Sequence, residues 1–174
     1  MSSICFNELA NYNAGRLVYQ WFDLDQYSDA EEFSTAFYDW LAACPHPDGG
    51  ECEEWNVADY EDIPEQLVSG YGFNADQFFE WQNLNDDERL VFEMLTECMG
   101  YTFADAMSKV DRVGVVHGQR PESYVYDLIN ECMDLPEIAV QYFDYKAYAR
   151  DMVLNGDISY DPENSVLYTN LNSL

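Results

Sequence analysis

Residues 2–25 read SSICFNELANYNAGRLVYQWFDLD. Its two ends, SSICFNEL and GRLVYQWFDL, are rich in β-branched and aromatic residues, and NYNAG between them carries turn chemistry. A strand–turn–strand unit here, followed directly by a helical pattern, commits the chain to a mixed fold. Ser28 precedes DAEEFSTAFYDWLAA, with Glu31 three positions after it, the spacing of a capping box that opens an amphipathic helix. CPHPDGGE breaks that helix, and EEWNVADYE reads as a third strand.

From Ile63 to about Arg112 the pattern turns helical. PEQLVSG can make a short helix, NADQFFEWQNL and DDERLVFEMLTECM two more, and TFADAMSKV a fourth with Thr102 as N-cap. In the third of these, Val91, Met94, Leu95 and Cys98 fall at i, i+3, i+4 and i+7, an apolar stripe suited to a core. Asp86, Glu93 and Glu97 share another face. Beyond Arg112, RVGVVHGQ reads as a strand and turn, and SYVYDLINECM as a helix. EIAVQYF is ambiguous between the two states. YFDYKAYARDMVLNG (residues 142–156) is a helix with Asp144 as N-cap and Asn155-Gly156 as its stop, and ISYD and SVLYT are short strands. The expectation is an α+β chain of three small lobes in series: residues 1–62 mixed, 63–112 helical, and 113–174 mixed.

Charge is the unusual quantity. The 174 residues hold 34 Asp+Glu against 7 Lys+Arg, a net charge of -27, yet 48% are hydrophobic and 16% aromatic. Acidic chains that stay disordered are poor in aromatics, so this one is expected to fold. Self-repulsion on that scale opposes compaction. Its aromatic content exceeds what adaptation to high salt would require, which leaves a function that needs negative charge. Nucleic acid and anionic membranes are poor partners, because their phosphates would be repelled. A basic partner is favoured, and large basic grooves belong chiefly to proteins that bind nucleic acid. Five scattered cysteines without CxxC spacing suit reduced thiols. The start MSSICFNELANYNAG has no basic segment and no apolar run, and no stretch approaches a membrane span. A cytoplasmic location is expected.

The acids are spread rather than gathered in a tail: 14 in residues 1–62, 10 in 63–112 and 10 in 113–174. Carboxylates four apart on a helix, such as Asp76/Glu80 or Glu93/Glu97, lie about 6 Å apart along the axis. Neighbouring phosphates on one DNA strand are separated by roughly 6–7 Å. At one charge per about 1.7 Å of duplex, 27 net charges correspond to about 46 Å of DNA. A collective set of phosphate-like carboxylates is therefore expected at Asp59, Glu61, Asp62, Asp76, Glu80, Asp86, Asp87, Glu93, Glu97, Asp105, Asp127 and Glu131.

Nothing in the residues argues for an enzyme. GxxxxGK[ST], GxGxxG, GxSxG and HExxH are all missing from the sequence, and the two histidines, His46 and His117, stand alone. Cys44, His46 and Cys52 share one loop, but their spacing matches no common zinc pattern. DISYDPENS alternates acids as calcium loops do, yet lacks the glycine and terminal glutamate of such loops. No catalytic residue, cofactor or metal is expected.

Three segments carry a family resemblance. In ANYNAGRLVYQWFDLD, Tyr12, Asn13, Gly15, Trp21, Asp23 and Leu24 resemble the N-terminal signature of the ArdA antirestriction proteins. LPEIAVQYFDYKAYARDMVL is similar to their C-terminal antirestriction region, at Tyr142, Phe143, Asp144, Tyr145, Ala149, Arg150 and Asp151. ADYE at residues 58–61 matches the element that closes the first lobe. The resemblance implies an elongated three-lobed homodimer, paired through residues 113–174, whose carboxylates imitate the phosphates of bent DNA. It implies occupation of the DNA-binding groove of type I restriction–modification enzymes, blocking cleavage and methylation, and carriage by plasmids, phages and other mobile elements. An acidic mimic directed at another DNA-binding protein, such as a nucleoid protein, repressor or CRISPR effector, is the alternative. Arg150 and Lys146 are expected to tie their helix to acidic neighbours, and Phe143, Ala147 and Leu154 to face inward.

Overall fold

The computed structural model describes all residues except Tyr71, Met133 and Asp134. The fold is mixed, about half helical, with small antiparallel sheets. It divides into two compact units, Met1–Leu84 and Asn85–Leu174. Among the described residues no helix is long and apolar enough to cross a membrane.

In the first unit, β1 (Ser3–Glu8) runs between β2 (Tyr19–Asp23) and β3 (Trp55–Glu61), antiparallel to both. Alternation along β1 sends Ile4, Phe6 and Glu8 to one face and Ser3, Cys5 and Asn7 to the other. The inner face packs on α2 (Ala30–Ala43) through rings rather than aliphatic chains. Phe6 meets Phe37 edge-on at 4.7 Å, Trp55 at 5.2 Å and Phe22 at 5.9 Å, and Phe33 lies 5.7 Å from Phe22. Edge-to-face packing of this kind adds about 0.5–1.5 kcal/mol per pair beyond the buried area. A short helix, α1 (Leu9–Asn13), fills much of the turn between β1 and β2. It ends at Gly15, whose φ of +75° lets the Gly15 and Arg16 amides return to the carbonyls of Tyr12 and Asn11. The unit closes with a hairpin, β4 (Val68–Ser69) and β5 (Gly72–Phe73), and with α3 (Ala75–Gln82), which buries Phe78, Phe79 and Trp81.

In the second unit, α4 (Asp86–Glu93) starts in a reciprocal capping box between Asn85 and Glu88 and continues as a π-helical turn, Met94–Cys98. Helix α5 (Phe103–Met107) is capped by Thr102, as expected. Strands β6 (Gly114–His117), β7 (Ser159–Asp161) and β8 (Val166–Thr169) form a second antiparallel sheet in the order β6-β8-β7. Helices α6 (Pro121–Cys132) and α8 (Tyr145–Asn155) pack together around Val125, Ile129 and Ala149, with the short α7 (Glu137–Gln141) between them in sequence.

Four local expectations are corrected. Asp29, not Ser28, is the N-cap of α2: its carboxylate accepts the Glu32 amide at 2.9 Å, while Glu32 reaches back to the Ser28 amide at 2.7 Å. The reciprocal box is therefore not formed: Asp29 takes the cap because it is itself a strong acceptor at the helix start, and Glu32 bonds the residue before it. PEQLVSG makes only a 3-10 turn at Glu65–Leu67 before entering β4, since the strand pairing of Val68 and Ser69 wins over a short helix. The apolar stripe of α4 holds for Val91, Met94 and Leu95, but the wider π turn swings Cys98 into solvent. On α8 the inward side is Tyr145, Ala149 and Met152, whereas Leu154 is 75% exposed.

Candidate functional site: the carboxylate surface

The outward distribution of acid is built residue by residue. Among the described residues Glu8 is the one buried carboxylate; every other described Asp or Glu is exposed or half-buried. Of the twelve expected positions, Asp127 alone is half-buried, accepting from Gln119 Nε2 at 2.5 Å; the other eleven are exposed. They divide between the units, with Asp59, Glu61, Asp62, Asp76 and Glu80 in the first and the remainder in the second.

Several of these groups are fixed in place. Glu61 Oε2 accepts from Ser3 Oγ at 3.3 Å, and Asp62 pairs with the N-terminal ammonium at 3.0 Å. Asp87 meets His117 Nε2 at 2.7 Å, and Asp105 accepts from the Thr102 hydroxyl at 2.7 Å. Asp76 and Glu80 are both exposed on the regular turns of α3. Glu93 and Glu97 straddle the junction of α-helix and π turn. Partial burial, and then the charge of Glu97, raise the Glu93 carboxyl above its ordinary range against the opposing pull of Arg89.

The signature residues separate into two kinds. Gly15, Asp23, Leu24, Asp144 and Ala149 build the fold: a left-handed turn, a cap on the Asp25 amide, a fully buried side chain, a cap on the Ala147 amide, and the α6–α8 contact. Phe143 and Tyr145 are half-buried, their rings 5.0 Å apart. Tyr12, Asn13, Trp21, Tyr142, Arg150 and Asp151 remain exposed. Arg150 pairs at 3.1 Å with Asp151, its own sequence neighbour, instead of tying α8 to another element. No carboxylate among the described residues pairs with Lys146. Arg150 and Lys146 instead line a groove of about 670 Å³ together with Val153, Leu154, Tyr160 and Pro162.

Sequence reasoning passed over Glu8 and Asn11. Glu8 is fully buried, and its carboxylate accepts from the amides of Ala10 (2.9 Å) and Asn11 (2.7 Å) and from Asn11 Nδ2 (2.6 Å). Asn11 Nδ2 also reaches the Pro45 carbonyl at 2.7 Å, tying α1 to the CPHPDGGEC loop. Burial works against the charge of Glu8, but these bonds and the Cys52 thiol outweigh it and hold the carboxyl below its usual range. The available signal was alternation, which puts Glu8 on the inner face after Ile4 and Phe6.

In the same loop, His46 Nδ1 accepts from the Asp48 and Gly50 amides at 3.2 Å each, and Cys44 donates to the Trp40 carbonyl at 3.3 Å. Burial and the neighbouring Glu8 push the Cys52 thiol up to about 11. No group of three or more metal-binding side chains gathers among the described residues. Asp161 accepts from the Glu163 and Asn164 amides, a turn closed by its own side chain.

A family model described as antirestriction protein (ArdA) matches residues 4–164. No curated protein sequence matches the chain.

Proposed function

The chain belongs to the ArdA antirestriction protein family, and from that premise we propose that it acts as a DNA mimic against type I restriction–modification enzymes. It would occupy their DNA-binding groove stoichiometrically, without chemistry of its own, and block both cleavage and methylation. The carrying observation is the outward placement of the acids: a net charge of -27 with one buried carboxylate among the described residues. Such a surface steers a basic groove toward it at rates that fall with salt. The twelve carboxylates from Asp59 to Glu131 act collectively, because a single exposed charge contributes at most about 1 kcal/mol.

A homodimer formed through the C-terminal lobe is part of the same proposal, as are three lobes in an elongated arrangement and action in the cytoplasm of a bacterial host. The groove of Lys146 and Arg150 supports the dimer. It combines exposed apolar surface at Val153 and Leu154 with two bases, Lys146 and Arg150, set beside the carboxylates of Glu122 and Asp144.

The deciding experiment expresses the protein in cells carrying a type I system and challenges them with unmodified DNA, measuring methylation alongside. Protection with reduced methylation is expected. Full restriction in the presence of folded protein sinks the type I reading, and retention of a different DNA-binding protein from lysate would redirect the mimicry to that target.

A further inference from the structure

The outer face of the first sheet is a walled trough. Register places Tyr19, Asn7 and Asn56 in one row across the three strands, Trp21, Cys5 and Asp59 in the next, and Asp23, Ser3 and Glu61 in the third. Directly opposed residues in antiparallel strands project from the same face. An extra residue in β3, where the register shifts between Cys5 and Phe6, lets Asp59 and Asn56 occupy this face together. The floor is β1 with its small Ser3, Cys5 and Asn7; Ser3 and Cys5 are 6% and 4% exposed, so the trough is shallow and an occupant lies over this row. One wall is aromatic, with Tyr19 57% and Trp21 38% exposed. The other is carboxylate, Asp59 and Glu61, both exposed. The walls stand roughly 9.5 Å apart, two interstrand spacings.

The carboxylate wall is held in position. Asp59 Oδ1 accepts the Tyr60 amide at 2.9 Å, and Glu61 accepts the Ser3 hydroxyl across the floor. Burial and then the charge of Asp59 raise the Cys5 thiol, which fits their common face.

An aromatic wall facing a carboxylate wall suits a planar cation. We propose that this trough is a docking site for an arginine side chain of the basic partner, with the guanidinium stacked on Trp21 and hydrogen-bonded to Asp59. The proposal rests on the mimicry reading for the partner's basic character, and adds a contact that phosphate imitation alone does not supply. Charge complementarity selects the occupant: the first unit holds 17 acids and one base, Arg16. Geometry selects arginine over lysine. A guanidinium stacks through its face while donating in its plane, whereas an ammonium is a compact, strongly hydrated point charge. Nucleic acid bases, which also stack on aromatics, arrive with phosphates that this surface repels.

The test titrates the whole protein with hexa-arginine and hexa-lysine at matched salt, by calorimetry. Hexa-arginine is expected to bind roughly two- to fivefold more tightly, the range of an exposed cation–π contact. Trp21→Leu should bring the ratio to about one with hexa-lysine unaffected, while Tyr38→Leu, at an exposed ring on α2, keeps the preference. Equal affinities for the two peptides, or a preference that survives Trp21→Leu, overturns the proposal. Should Trp21→Leu fail to fold, the Trp21 indole N–H resonance decides: it shifts with hexa-arginine and not with hexa-lysine, or the trough is not the site. Failure against a type I enzyme would leave the peptide preference untouched, so the two readings fall separately.

Discussion

The two units carry the same acid load and differ in everything set against it. Met1–Leu84 holds 17 carboxylates and one base; Asn85–Leu174 holds 17 and six. The first unit offsets its repulsion with rings, a Phe- and Trp-rich core in which Phe6, Phe22, Phe33, Phe37 and Trp55 interlock. The second buries Val91, Phe92 and Leu95, Val166 and Leu167 of β8, and the α6–α8 cluster, and its bases are exposed or half-buried. Carboxylates kept in water repel one another weakly, so an ordinary core suffices to hold a highly charged shell together.

The comparison breaks first at the level of charge. Neutralising ten exposed acids of the first unit to amides is expected to abolish inhibition of a type I enzyme, read as loss of protection of unmodified DNA. If that variant still protected, the first unit's charge would be dispensable.

Next comes Glu8, the one carboxylate buried among the described residues. Glu8→Ala strands the amides of Ala10 and Asn11 and the Asn11 side chain, and should cost about 3 kcal/mol. All four tryptophans lie in the first unit, so fluorescence-detected urea unfolding reads this loss there specifically. Because the folded carboxyl is held below its ordinary value, its contribution is complete above the ordinary carboxylate range and is lost as pH falls through the lowered value. The stability gap between the natural protein and Glu8→Gln should therefore be constant near neutrality and shrink below about pH 4.

The matching test in the second unit is Ala149→Leu, which overfills the contact between α6 and α8. It should cost about 1–3 kcal/mol, visible in the helical circular dichroism and not in tryptophan fluorescence. Arg150→Glu should change folding stability by less than about 1 kcal/mol, since its pair with Asp151 is 67% and 59% exposed. Its effect should appear in self-association by sedimentation, and an unchanged sedimentation profile would remove this groove from the proposed dimer. Smallest of all, Glu93→Gln should leave inhibition within about twofold of the natural protein. A complete loss there would contradict a collective mechanism.

Much of the fold was legible because its signals are local. Thr102 and Asp144 cap the helices assigned to them, Gly156 ends α8 at φ +77°, and β3 and β6 lie where β-branched and aromatic residues cluster. The misreadings occurred where two local solutions were close in energy. Ser28 and Asp29 compete to cap α2, and PEQLVSG is claimed by strand pairing. Cys98 left its stripe because period-3.6 reasoning has no account of a π turn. The exposed acids were legible from composition, since carboxylates are rarely buried; Glu8 was missed for the same reason.

By itself the sequence determined the mixed fold class, the charge, the family and the caps of α5 and α8, all of which depend on residue type and short spacing. Tertiary structure alone decided which residues meet across a sheet. Trp21, Cys5 and Asp59 are separated by up to 54 positions, and only antiparallel pairing with one extra residue in β3 sets them side by side. It decided equally that Arg150 faces solvent beside Asp151 and that Glu8 is enclosed. Those outcomes depend on which faces are covered when the elements pack, and no local spacing records that.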